Sequence, residues 1–210
     1  MLYIIIFAVL YGLIPFLLVG YIDGREKIKP IIPFTLVVFL ASLYEFFGSI
    51  LFQINVEQWF LIYSLLAFFA IHYFFYKILN KKFAHLFKIL ILFYLIFYFA
   101  SRFGLRSLNY LDISSYLNVY QTIIVLLFSV LWFRKIFQEF QIEKLLDSPT
   151  FYFISGLLIY YCGSVAIFLM ANDLYAKDKN SLQYFWLVNI ILNFVLRTLL
   201  IVGIWKARPI

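Results

Sequence analysis

The chain has 210 residues, 66% of them hydrophobic and 13% charged, with a mean hydropathy of +0.99. Soluble domains run at about 45–50% apolar and about 25% charged, so a water-soluble globule is excluded and a lipid bilayer is the expected surrounding. The net charge of +7 sits in short clusters between apolar runs and builds no continuous basic surface, so nucleic acid is not an expected partner.

A helix needs about 20 mainly apolar residues to cross hydrocarbon. Seven such segments follow one another: Leu2–Ile22, Ile31–Phe52, Gln58–Leu79, Phe83–Ala100, Ser115–Phe133, Thr150–Ala171 and Leu182–Trp205. The first is too long for a signal-peptide core and lacks a basic leader or cleavage site, so it reads as a retained helix. Pro15 is expected to kink it, which neighbouring helices tolerate in a membrane. Pro30 and Pro33 open the second segment. The fourth is the shortest, and Lys88 in its first turns is expected to snorkel to the interface. Asp147-Ser148-Pro149 gives the sixth an N-cap and a proline at its first helical position. The expected fold is all-α: one polytopic transmembrane domain, residues 1–210, of seven helices. No internal repeat is visible. Cys162 reads as a small apolar residue in a packed helix, and a lone cysteine excludes an internal disulfide.

Orientation follows from the basic residues. Arg25, Lys27, Lys29, Lys77, Lys81, Lys82, Lys88, Arg134, Lys135, Lys144, Lys206 and Arg208 fall on alternate loops and the C-terminus, twelve in all. The opposite side has four: Arg102, Arg106, Lys177 and Lys179. Cytoplasmic loops carry the Lys/Arg excess, which predicts the N-terminus outside and the C-terminus inside. The loop Arg134–Ser148 mixes Phe137, Phe140, Ile142, Leu145 and Leu146 with charges and is expected to lie on the membrane as an interfacial helix. Docking of a cytoplasmic partner is the alternative.

An unpaired charge at mid-bilayer costs at least about 2.5–3.5 kcal/mol, so polar residues inside spans usually face the bundle interior. Ser42, Glu45 and Ser49 share one face of segment two; Asn118, Gln121 and Thr122 lie in segment five; Asn189, Asn193 and Arg197 form an i, i+4, i+8 stripe in segment seven, after Trp186. Depths counted from the helix ends place Glu45, Gln121 and Asn189 in an outer layer and His72 and Arg197 in an inner one. The functional reading is a pocket open to the outside, formed by Glu45, Gln121, Tyr160, Asn189 and Asn193, with Arg197 and His72 coupling it inward. The structural reading has Glu45 neutral or bonded to an amide of segment seven, the asparagines as interhelical glue and His72 as a packed residue. Arg197 either meets Glu45 or an anion, or snorkels towards cytoplasmic phosphates. Small residues, Gly156 and Gly163 in segment six and Ala41 and Gly48 in segment two, mark helix contacts. Segments two, six and seven are thus expected at the bundle's centre.

Two histidines, one at the cytoplasmic rim (His85), make no metal site. No nucleophile elbow, HExxH or phosphate loop occurs, and no cofactor is implied, so an enzyme is not expected. Ser148-Pro149-Thr150-Phe151-Tyr152-Phe153-Ile154 with Leu157-Leu158-Ile159-Tyr160-Tyr161, and Leu187-Val188-Asn189-Ile190-Ile191-Leu192-Asn193 with Gly203-Ile204-Trp205, resemble poorly characterised bacterial seven-helix membrane proteins. These occur alone or as the membrane input region of sensor histidine kinases. The resemblance covers about a quarter of the chain and implies a stand-alone sensory module.

The sequence therefore points to a sensor-like protein of the bacterial inner membrane, binding a small molecule or lipid and signalling through a separate cytoplasmic protein. A small transporter or channel is the second reading, for which an internal repeat or a helix broken at mid-depth would speak; neither is visible in the sequence. A structural or assembly subunit is the third.

Overall fold

The computed structural model describes residues 2–22, 25–54, 57–79, 83–101, 110–139, 145–177 and 179–208. Lys81, Lys82, Arg102, Arg106, Phe140, Ile142 and Lys144 lie outside this set. All regular structure in it is helical: α1 (Leu2–Tyr11), α2 (Ile14–Gly20), α3 (Ile32–Tyr44) with a π-helical continuation Glu45–Leu51, α4 (Glu57–Ile78), α5 (Ala84–Phe99), α6 (Tyr110–Glu139), α7 (Pro149–Lys177) and α8 (Lys179–Lys206). Since α1 and α2 are halves of one apolar stretch, these correspond in order to the seven expected segments. Six stretches are long and apolar enough to span a membrane, which makes this a multi-pass membrane protein. The seventh, α5, has 16 residues and so about 24 Å of length, short of a hydrocarbon core of about 30 Å.

The six long stretches close a ring. In order around it, α4 packs on α3, α3 on α2, α1 and α2 on α8, α8 on α7, α7 on α6, and α6 back on α4. The short α5 sits outside, against α4 and α6. The α7–α8 contact is the most extensive. A side chain at Gly156 would meet Leu196 and Leu199 at 3.2 Å, and one at Gly163 would meet Leu192 at 2.7 Å, so these glycines do let the two backbones approach. Segment two does not join them at a shared centre. Gly48 faces only Tyr44 of its own helix, and α3 instead forms one arc of the ring beside α2 and α4. Cys162 is also not packed; it lies on the exposed flank of α7.

Two helices depart from regular winding. Proline has no amide hydrogen, so Pro15 leaves the carbonyl of Tyr11 without its i+4 donor. The chain responds with a full break: Gly12 N–H also bonds the Val9 carbonyl (3.0 Å), Leu13 N–H bonds Leu10 (3.1 Å), and α2 starts afresh at Ile14. Segment two was expected to be one regular helix, but from Glu45 it widens. Phe52 N–H bonds the carbonyl of Phe47, five residues back, at 3.0 Å, and the segment ends near Gln53, whose φ of 50° is left-handed. Such π-helical insertions occur often at functional sites.

The loop after segment five is corrected too. Arg134–Glu139 continues α6, because Arg, Lys, Gln and Glu are good helix formers with no breaker among them, and Leu145–Asp147 is a single 3-10 turn. As expected, α7 starts at Pro149. Asp147 just before it accepts a hydrogen bond from Lys206 Nζ at 3.1 Å, tying the start of α7 to the end of α8.

Candidate functional site

The ring encloses a cavity of about 400 Å³, within the range of about 300–1,000 Å³ typical of small-molecule sites. Each of the six long stretches contributes to its wall, and α5 contributes nothing. Along α8 the lining residues run Trp186, Asn189, Asn193, Arg197, one helical face over about 16 Å. Opposite them, α3 and its π-helical end present Ala41, Glu45 and Ser49. Regular i, i+4 winding would carry successive residues steadily round the helix; the wider turn begins at Glu45 itself and keeps Glu45, Ser49 and Ile50 all on the cavity side.

Glu45, Gln121, Tyr160, Asn189, Asn193 and Arg197 are therefore brought together. Arg197, expected in a separate inner layer, lines the same cavity as the others. It does not snorkel: it is 7% exposed, and its Nη1 donates to the carbonyl of Ala8. That carbonyl also accepts from Gly12 N–H, at the last turn of α1. A helix C-terminus concentrates partial negative charge, so the break supplies a seat for the guanidinium. Gly12 makes the seat possible, since a side chain there would run into Ser42 Oγ and come within 2.8 Å of the guanidinium carbon. Arg197 and Glu45 line the same cavity, yet among the described residues neither has an ion-pair partner within 4 Å.

His72 is placed elsewhere. Its Nε2–H donates to the carbonyl of Phe87 at 3.0 Å, and its ring lies among Phe68, Phe87 and Phe128 at centroid distances of 4.9–5.5 Å. It touches neither Arg197 nor the cavity, so the two do not form one coupling pair. Thr122 is also taken up in packing, donating to the carbonyls of Asn118 and Tyr161.

The cavity wall holds polar atoms that protein does not satisfy. Ser49 Oγ, Asn118 Oδ1, Gln121 Nε2, Asn189 Oδ1 and Arg197 Nε have no hydrogen-bond partner among the described residues. Leaving one such buried atom unmet costs about 1–3 kcal/mol. Asn193 Nδ2 bonds the Asn189 carbonyl at 3.1 Å. Several wall residues were not anticipated: Ile5, Ala8 and Val9 of the first segment, and Trp59, Phe60, Tyr63 and Phe168. Trp59, Phe60 and Phe168 lie towards the Trp186 end of the cavity, remote from Arg197. Trp59 stacks on Tyr44 at 4.4 Å, and Trp186 meets Phe60 and Phe168 edge-on. Gly12 three residues before Pro15 was the one sequence signal that pointed to the first segment.

Fold and site together define a multi-pass helical membrane protein built around a cavity whose mainly apolar wall carries a set of polar and ionisable side chains. No protein-family model, curated protein or solved structure matches the chain.

Proposed function

We propose that the protein crosses the bilayer seven times with its N-terminus outside and its C-terminus in the cytoplasm, and acts as a sensor-like protein of the bacterial inner membrane. A small polar solute enters the cavity from outside, and a separate cytoplasmic protein reads the resulting change in the bundle. The observation that carries this reading is the cavity itself, whose unmatched donors and acceptors add nothing to packing. The distribution of Lys and Arg, twelve against four, supports the orientation. In that orientation Trp59, Phe60 and Trp186 lie towards the outside and Arg197 lies deepest. Arg197 then links the cavity to the break in the first segment, and α2 continues to the basic stretch Arg25–Lys29 on the cytoplasmic side. The resemblance to the membrane input regions of sensor kinases agrees with this use.

Thermal-shift screening of polar solutes on the protein in lipid nanodiscs tests the reading. Expected is a stabilising solute whose effect shrinks in Glu45→Gln while membrane insertion is unchanged. Orientation is read separately by labelling Gln53→Cys in intact cells, where reaction with an impermeant reagent is expected. Labelling only after the membrane is opened would refute it.

Transport is the second reading, and one observation favours it: the first segment is broken near mid-depth and the second is rewound at Glu45. Discontinuous helices are a frequent feature of transporter binding sites. Solute accumulation in vesicles holding the protein alone would decide for transport.

A further inference from the structure

We propose that the cavity takes a small zwitterion, a molecule with an ammonium and a carboxylate group such as a free amino acid. The inference rests on the reading of the cavity as a solute site and adds the ligand's charge pattern.

Glu45 and Arg197, side chains able to carry opposite charges, line one cavity, and among the described residues neither forms an ion pair within 4 Å. A buried pair of that kind is costly unless each charge has a partner. A cationic ligand would leave Arg197 unmatched and an anionic one would leave Glu45 unmatched. A neutral ligand would leave both. Only a ligand carrying both signs completes the two ends together.

The unmet polar atoms on the lining side chains are of both kinds: Asn118 Oδ1 and Asn189 Oδ1 are acceptors, as an ammonium needs, and Gln121 Nε2 and Arg197 Nε are donors, as a carboxylate needs. Arg197 is held for this task rather than free to turn away. One arm of its guanidinium is fixed on the Ala8 carbonyl, and its Nε has no partner among the described residues. The remaining space is bounded by Trp59, Phe60, Phe168 and Trp186, a surface for an apolar side chain.

Isothermal calorimetry on the nanodisc-embedded protein tests the proposal. The probes are glycine, L-leucine, L-phenylalanine and taurine, with isopentylamine, isocaproate and isocaproamide as the cationic, anionic and neutral counterparts of leucine. At least one zwitterion is expected to bind at least about tenfold tighter than all three counterparts. Glu45→Gln should weaken that binding about tenfold or more. Arg197→Lys, which keeps the positive charge at the deep end, should retain part of the affinity. Equal binding of a singly charged or neutral counterpart overturns the zwitterion and leaves the solute cavity standing. An unchanged zwitterion affinity in Glu45→Gln likewise removes the charge assignment. Silence from every probe removes both the ligand class and the cavity's role as a solute site.

Discussion

The two sides of α4 face opposite kinds of interior. Towards α5 and α6 it enters an apolar aromatic cluster: Phe68 stacks on Tyr94 at 3.6 Å with ring planes 3° apart, and Phe87 stacks on Phe128 at 4.3 Å. Tyr94 and Phe128 are fully buried. Towards α3 and α8 the same helix presents Trp59, Phe60, Tyr63 and Ser64 to the cavity. Ser64 stands on the boundary, its hydroxyl 3.3 Å from that of Tyr94. In the aromatic cluster His72 has Nε2–H bonded to a backbone carbonyl and its Nδ1 without a partner among the described residues, boxed in by rings; around the cavity, unmet polar atoms belong to side chains that line open space. Burial alone therefore does not identify a site, since His72 at 3% exposure is as buried as Gln121. What separates them is whether neighbours fill the surrounding space.

Four substitutions would break or sharpen this contrast. Phe128→Ala, in the aromatic cluster, should cost the most stability, about 3–5 kcal/mol, while solute affinity stays within error; thermal unfolding and calorimetry on one preparation measure both. Gly12→Val should come next, at about 1–3 kcal/mol from overpacking, and should also abolish solute binding because it displaces Arg197 from its seat. Gly20→Ala is its control, since open space surrounds that position. Asn189→Leu removes an unmatched acceptor, so stability should change by no more than about 1 kcal/mol while solute binding falls. If stability drops sharply instead, Asn189 is structural glue and the contrast fails there. His72→Phe should be the mildest, under about 1 kcal/mol, replacing one ring by another among aromatic neighbours; an altered solute response would return His72 to a coupling role.

Helix order and the starts at Pro33 and Pro149 were legible in the sequence because hydrocarbon demands long apolar runs and proline fits a first turn. The Asn189–Asn193–Arg197 stripe was legible because period 3.6 is local. The share of the first segment in the cavity, Ile5, Ala8 and Val9, was not, since it depends on how the ring closes through α1–α8 and α4–α6. Depth counted along straight helices misled for the same reason: Arg197 has a long side chain, and the break at Gly12 brings a carbonyl to meet it. Trp59, Phe60 and Phe168 could not be told from lipid-facing aromatics in a chain where 23% of residues are aromatic. The π-helical turn at Glu45 leaves no mark in the sequence.

The clasp between Asp147 and Lys206, added to the tight glycine packing of α7 on α8, has a mechanical consequence. The hairpin is thereby tied at its open end as well as along its length, whereas the first segment, interrupted after Gly12, meets it through the Arg197–Ala8 hydrogen bond, the Tyr11–Thr198 hydroxyl pair at 3.0 Å and the packing of Phe7 and Tyr11 on Phe194. On the proposed sensor reading, a solute that draws Arg197 towards itself would weaken one of these ties and leave the Asp147–Lys206 clasp untouched.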